Sequence, residues 1–432
     1  MGFKIHFSGI DKFSHSPHFA TENLRRKLEQ FQQTVNREDI GFFNITEKTS
    51  LLADCYQVFE KFSERKHFVH IGIGGSSLGP EMLIKAFPKN SATQFSFINN
   101  IDPDEIELIL SSLNHEECVF YFVSKSGGTA ETLASLAIIA SYLKEKGVQE
   151  SDFKNYFVFA TDPEKSQLKD LAAEWQISLL TIPSNIGGRF TVLTPVGFFP
   201  ALFAGIKVEE LLAGANEVKN ELLKEDVQEN NFLKTAAFLM ALKETGIDQT
   251  VFMPYSSLLK YLSFWFVQLW AESLGKKESL NGELIYEGLT PIPGYGATDQ
   301  HSQVQLFMEG AQNKCIFLIG IQAFNHDFSL ENGQQQTGLK KLSPFTLGQL
   351  MQAELHGTMR ALEENERPFI HLDLSKRDER NVGALIMFFE SLTALMGHYL
   401  NIDPFDQPGV ELGKKYAFAY LENDQQKSSI IN

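Results

Sequence analysis

Residues 119–146 read VFYFVSKSGGTAETLASLAIIASYLKEK: an apolar run over 119–123, then Ser124, Lys125, Ser126, Gly127, Gly128 and Thr129, then a helix-patterned stretch over 130–146. Glycines let backbone amides turn inward, hydroxyls add directed donors, and a helix start carries partial positive charge. The loop is therefore expected to cradle an anion, and a phosphate fits it without special assumptions. A second strand, loop and helix unit lies upstream, where 68–71 run into Gly72, Gly74, Gly75, Ser76, Ser77 and Gly79. Two such loops point to a phosphorylated small molecule.

Around this stretch, short β-rich runs alternate with amphipathic segments: 68–73, 94–99, 119–123, 156–161 and 178–182. That alternation predicts a parallel sheet covered by helices, an α/β fold. Strand-like runs recur at 249–253, 285–288, 314–321 and 369–374, so the second half repeats the architecture. At 432 residues the chain exceeds the size at which single cores stop growing. We expect two domains: residues 1–210, with N-terminal helices and the first sheet, and residues 211–432, with the second sheet and a C-terminal helix. Residues 1–45 are expected to be helical, with Leu24, Leu28 and Phe31 at helical spacing. Strand, Ser-rich loop and helix appear three times, at 71–77, 123–129 and 251–257, and open parallel sheets bind ligands beyond the carboxyl ends of their strands.

Composition excludes several classes. Apolar residues make up 43% and charged residues 21%, as in globular chains that fold unaided. A net charge of −16 opposes binding to nucleic acid or to an anionic membrane, both of which need a cationic surface. Cys55, Cys118 and Cys315 are far apart with no CxxC pairing, which fits a reducing, cytoplasmic compartment, and residues 1–10 lack a signal-peptide core. The uncharged segment between Arg189 and Lys207 contains Pro195 and Pro200 and is too short for a typical membrane span, so we expect buried core.

Several constellations carry chemistry. Gly72, Gly74 and Ser77 nearly spell a dinucleotide fingerprint, but Ser77 in place of the third glycine disfavours a nicotinamide cofactor and adds a hydroxyl donor. Arg189 leaves a Gly187–Gly188 turn beside apolar sequence, where a buried guanidinium needs an anion, either a structural carboxylate or a charge on substrate. On the helix-patterned stretch 257–273, Gln268 and Glu272 share a face, with Glu272 near the helix end as a candidate general base or else a solvated side chain. Gly294 to His301 form a glycine-rich loop that puts His301 in the first turn of a helix, able to exchange protons or merely structural. Gln407, Glu411 and Lys414 make one polar stripe on a helix beginning after Pro408 and Gly409, which a solvated face explains equally well.

Together these segments resemble the glucose-6-phosphate isomerase family, in the same order from Phe68 to Lys414. The residues 187–206, GGRFTVLTPVGFFPALFAGI, are similar to one family signature, and 407–414, QPGVELGK, match the other. The resemblance implies two sugar-isomerase (SIS) domains, each a doubly wound parallel sheet sandwiched by helices, assembled as a homodimer. It implies that Ser76, Ser124, Lys125, Ser126 and Thr129 hold the substrate phosphate, and that Gln268 and Gln407 line the sugar site. Glu272 would shuttle a proton between carbons 1 and 2 through a cis-enediol whose negative charge Arg189 stabilises. His301, supplied by the neighbouring subunit, and Lys414 would open the ring. The implied substrate is a hexose 6-phosphate, with no cofactor and no metal. The phosphate loop reads SKSGGT where many longer members have Thr and Phe after the Lys, and the shorter bacterial members look closer. A broader enzyme that also accepts mannose 6-phosphate would keep every residue named. A non-enzymatic sugar-phosphate sensor would need neither Glu272, His301 nor Lys414.

Overall fold

A strand buried on both faces reads as a continuous apolar run, and Cys118–Val123 is such a strand, with all six residues buried. The computed structural model describes residues 2–88, 92–164, 166–331 and 339–431, with side chains as far as Glu422. Its strands, in chain order, are β1 (Phe3–Ser8), β2 (His67–Ile71), β3 (Gln94–Ile98), β4 (Cys118–Val123), β5 (Phe157–Thr161), β6 (Ser178–Thr181), β7 (Gln249–Pro254), β8 (Lys276–Glu278), β9 (Leu284–Glu287), β10 (Thr290–Pro293), β11 (Lys314–Ala323) and β12 (Phe369–Lys376).

The first sheet has the order β3-β2-β4-β5-β6, and every pairing is parallel. Strand order reverses at β2, which lies between β3 and β4, so the loops after β2 and β4 flank a crevice at the topological switch point. The second sheet has the order β1-β12-β11-β7-β10. It is parallel except for β1, which pairs antiparallel to β12 in the register Phe3↔Leu374 to Ser8↔Phe369. A small antiparallel hairpin, β8-β9, completes the set. The α/β architecture read from the sequence is the one observed.

Three elements depart from expectation, the first being the run at 285–288, which becomes β9 of the small hairpin instead of a strand of the second sheet. Residues 1–45 are not all helical: β1 opens the chain and joins the sheet of the second half, and the helix Thr21–Val35 follows. The cause is a period of two, with Phe3 and Ile5 buried and Lys4 and His6 exposed, too short to stand out beside the stronger helical pattern. Strand β10 is also unexpected, because Pro291 and Pro293 argue against a strand. It is tolerated because β10 is an edge strand.

All nine residues of the helix Pro195–Phe203 are buried, as expected for the uncharged segment. The helix Glu379–Leu400 is long and apolar enough to cross a membrane, yet 89% of its apolar window lies inside the fold. Its Phe389 meets Phe252, Phe266 and Phe317 of the second half, with ring centroids 5.0–5.4 Å apart. Next to Phe389, Glu390 is 0% exposed, and neither carboxyl oxygen has a hydrogen-bond partner among the described residues. Burial raises its pKa well above the usual carboxyl value, because desolvation favours the neutral form. In the unfolded chain it ionises above about pH 4.5, so the unfolded state then binds fewer protons and stability declines as pH rises toward the raised folded value. Glu390→Met, an apolar replacement of similar volume, should add about 1–3 kcal/mol at pH 7. Urea unfolding should show a smaller gain at pH 5 than at pH 8, and an equal gain at both would sink this account.

Candidate active site

The loop after β4 turns through Gly127, whose φ of +65° is a left-handed conformation natural to glycine. A Cβ there would lie 2.4 Å from the Ser166 side chain, so Gly127 is required twice over. The turn delivers the chain into the helix Ala130–Glu145, whose N-cap Thr129 makes no side-chain capping bond. The Thr129 hydroxyl instead lies 2.8 Å from Ser124 Oγ and 3.4 Å from Ser126 Oγ. Helix-start amides beside three clustered hydroxyls form the donor set expected for an anion. Lys125 donates from Nζ to the Ser184 carbonyl at 2.7 Å, and burial lowers its pKa against the opposing charge of Asp162.

The companion loop after β2 is buttressed from below. His70 in β2 is fully buried, with its Nε2 2.7 Å from the Ser76 carbonyl. Burial pulls His70 down to about 4 despite that hydrogen bond, so the ring is neutral near pH 7. A Cβ on Gly75 would lie 2.3 Å from the Gly188 carbonyl oxygen, so two glycine turns touch backbone to backbone. This contact sets Ser76 beside the turn that carries Arg189.

Arg189 is 3% exposed. Its Nε donates to Ser273 Oγ at 2.6 Å, and its Nη1 to Glu272 Oε1 at 2.9 Å and Gln407 Oε1 at 3.5 Å. Nη2 donates to the carbonyls of Pro404 at 2.5 Å and Asp406 at 3.1 Å. Burial lowers its pKa, while the charge and hydrogen bond of Glu272 act in the opposite direction. Glu272 lies in the last turn of the helix Lys260–Leu274, and its Oε2 accepts from Gln268 Nε2 at 2.9 Å, one turn back. Gln268, Glu272 and Gln407 line an open cavity of about 1080 Å³, together with Leu280 and Tyr286 of the hairpin region.

One chain therefore brings Arg189, Gln268, Glu272 and Gln407 together, although the Arg189–Gln407 contact spans 218 residues of sequence. It does not bring His301 to them. Rather than opening a helix, His301 ends the short 3-10 helix Thr298–His301, and the α-helix Val304–Glu309 begins beyond it. Its side chain is exposed, and the loop that leads to it runs past the start of the Lys260–Leu274 helix. There Ser263 Oγ donates to the Gly294 carbonyl at 2.8 Å, and Lys260 lies over the Tyr295 ring. Glu272 is nine residues beyond Ser263, hence about 14 Å further along the axis. The third Ser-rich loop, at 255–257, also lies at the far end of this helix from Glu272.

Gln407 is not on a helix with Glu411 and Lys414. It precedes a 3-10 turn, Pro408–Val410, and the helix Glu411–Ile431 starts afterwards, because Pro408 and Gly409 interrupt the helical rise. Lys414 pairs with Glu411 at 2.8 Å on the exposed surface, outside the residues lining the cavity. Three residues that the motifs did not single out belong to the cluster: Ser273, Lys276 and Asp406. Lys276 is buried and its Nζ lies 3.0 Å from Asp406 Oδ1. A Lys just past a helix end is a sequence signal for capping the last carbonyls, and could have marked it.

The sequence profile of phosphoglucose isomerase matches residues 57–432. A glucose-6-phosphate isomerase of Carboxydothermus hydrogenoformans is 37% identical over 416 residues, covering 93% of this chain and 89% of that one. One of Thermus thermophilus is 37% identical over 375 residues, covering 87% and 88%. Among solved structures, a hypothetical protein of Thermus thermophilus superposes with a TM-score of 0.88 at 34% identity, covering 97% of this chain and all of that one. A tagatose-6-phosphate ketose/aldose isomerase of Escherichia coli, with a TM-score of 0.51 at 12% identity over 90% of this chain and 95% of that one, shares the sugar-isomerase type of fold. A profile match over most of the chain, joined to relatives above a third identical along nearly their whole length, establishes that the chain belongs to the phosphoglucose isomerase family.

Proposed function

We propose that this protein interconverts glucose 6-phosphate and fructose 6-phosphate by opening the sugar ring and moving a proton between carbons 1 and 2 through a cis-enediol. The observation that carries the reading is the Glu272 carboxylate at 2.9 Å from the buried Arg189 guanidinium on the wall of an open cavity. Isomerisation of this kind needs one base that takes the proton from one carbon and returns it to the next, and a fixed cation for the oxygen that becomes negative. The names of the relatives agree with that chemistry. Purified protein, with no added metal or nucleotide, should convert fructose 6-phosphate to glucose 6-phosphate. Binding without turnover would favour a sugar-phosphate sensor, and comparable turnover of mannose 6-phosphate would widen the specificity.

In the proposed mechanism Ser76, Ser124, Lys125, Ser126 and Thr129 hold the phosphate, and Gln268 and Gln407 orient the sugar chain. Glu272 removes the proton from carbon 2 of the open aldose. The electrons of that C–H bond form the carbon–carbon double bond of the enediol, and the oxygen on carbon 1 gains the negative charge that Arg189 stabilises. Passage of the hydroxyl proton from oxygen 2 to oxygen 1, with return of the proton from Glu272 to carbon 1, leaves a carbonyl at carbon 2 and yields the ketose, so the base is regenerated and no co-reactant is consumed.

The proposal includes a cytoplasmic homodimer in which His301 of one subunit serves the site of the other, together with Lys414, in ring opening. Support comes from the separation of His301 and Glu272 along the Lys260–Leu274 helix and from the anchored loop that presents His301 at the surface, where Gln300 Nε2 donates to Tyr255 Oη at 3.1 Å and the Glu354 carbonyl at 3.0 Å. The helix Glu411–Ile431 leaves Leu412, Tyr416 and Tyr420 exposed at four-residue spacing, an apolar stripe suited to a second copy. Mixing inactive Glu272→Gln with inactive His301→Ala protein, followed by subunit exchange, should restore up to about a quarter of wild-type turnover, since random pairing makes half the dimers mixed and each mixed dimer holds one intact site. No recovery after exchange has been verified would refute the shared site.

A further inference from the structure

We propose that Lys276 is a positioning residue for the isomerisation, fixing the spacing between Glu272 and Gln407 on the cavity wall; the inference rests on the functional reading above. Lys276 is the second residue after the helix Lys260–Leu274 and is 7% exposed. A buried ammonium is costly unless each of its hydrogens finds an acceptor. Three acceptors surround this one: the Glu272 carbonyl at 3.0 Å, the Asp406 carbonyl at 2.6 Å and Asp406 Oδ1 at 3.0 Å. The ammonium is therefore fully satisfied and held in place.

What it joins gives it a role in the reaction. The Glu272 carbonyl belongs to the last turn of its helix, where carbonyls lack intrahelical partners, and Lys276 caps it from four residues on. Asp406 directly precedes Gln407, and its carbonyl also accepts from Arg189 Nη2 at 3.1 Å. Two cations thus take the two lone pairs of one carbonyl and fix the peptide between Asp406 and Gln407. The Gln407 side chain, 3.5 Å from Arg189 Nη1, inherits that orientation. Lys276 ties the helix end that carries the base to the turn that carries the sugar-lining amide, and a displacement of about 1 Å in such a constellation can cost on the order of a hundredfold in rate.

The test is a double-mutant cycle read in kcat and KM for fructose 6-phosphate. Lys276→Met should lower kcat by about 10–100-fold while KM changes by less than about threefold. In a Gln407→Ala background the same change should cost less than about threefold, because the amide it positions is already gone. The proposal is overturned if Lys276→Met keeps kcat within about twofold of wild type, or if its loss is equally large in both backgrounds. Should Lys276→Met fail to fold, Lys276→Gln, which keeps a donor without the charge, gives the same contrast. A wild-type protein without turnover would overturn the functional reading and this role together, whereas an active wild type with an unaffected Lys276 variant removes the positioning role alone.

Discussion

Glu272→Gln is expected to lower kcat for fructose 6-phosphate by about 10²–10⁴-fold, the range that a positioned general base contributes. The substitution is nearly isosteric. Its amide oxygen can still accept from Arg189 Nη1, as Glu272 Oε1 does at 2.9 Å. What it loses is the ability to take a proton from carbon. Substrate binding should therefore persist, because the groups proposed to hold the phosphate lie on the loops after β2 and β4, on other elements of the fold. Turnover followed by glucose 6-phosphate formed, beside calorimetric binding of fructose 6-phosphate, separates the two effects. A variant whose kcat stays within about threefold of wild type would assign the proton transfer to another group.

Arg189→Met should act on stability and turnover at once. The wild-type guanidinium satisfies Ser273 Oγ, Glu272, Gln407 and the carbonyls of Pro404 and Asp406. Methionine fills part of the volume and satisfies none of them. It also leaves Glu272, whose side chain is 20% exposed, without its cation. Removing one partner of a largely buried pair costs about 3–5 kcal/mol, and removing a donor aimed at developing negative charge costs about 10²–10³ in kcat. Urea unfolding and steady-state kinetics on the same preparation would read both. Loss of turnover with unchanged stability would mean that the hydrogen bonds of Arg189 are not structural; loss of stability with unchanged turnover would mean that another group stabilises the enediolate.

Much of this was legible in the chain because it depends on local pattern. Strand β4 is visible as an unbroken apolar run, and the loop that follows is visible because hydroxyls and Gly127, with its positive φ, are turn chemistry written into a few residues. The paired spacing of Gln268 and Glu272 follows from the helical period, and the two side chains do meet at 2.9 Å. The failures have equally physical causes. Six residues of alternating pattern in β1 acquire meaning only through pairing with β12, near the other end of the chain, and no local signal encodes that partner. Lys276 and Asp406 look like ordinary surface charges until folding buries the ammonium and places the Asp406 carbonyl 2.6 Å from it.

The sequence by itself determined the α/β architecture with its parallel strands, the glycine- and serine-rich loops and the family, since period, turn residues and ordered motifs are properties of short stretches. Tertiary structure alone decided which of those stretches share a site. Packing of the glycine turn at Gly75 against Gly188 sets Arg189 beside Glu272, 83 positions away in the chain. The fold also sets the Gly294 carbonyl and the Tyr295 ring, on the loop that leads to His301, against the first turn of the Lys260–Leu274 helix, whereas Glu272 stands in its last turn. A helix rises about 1.5 Å per residue whatever its sequence, and that fixed rise sets the distance between the loop met by Ser263 and the carboxylate of Glu272.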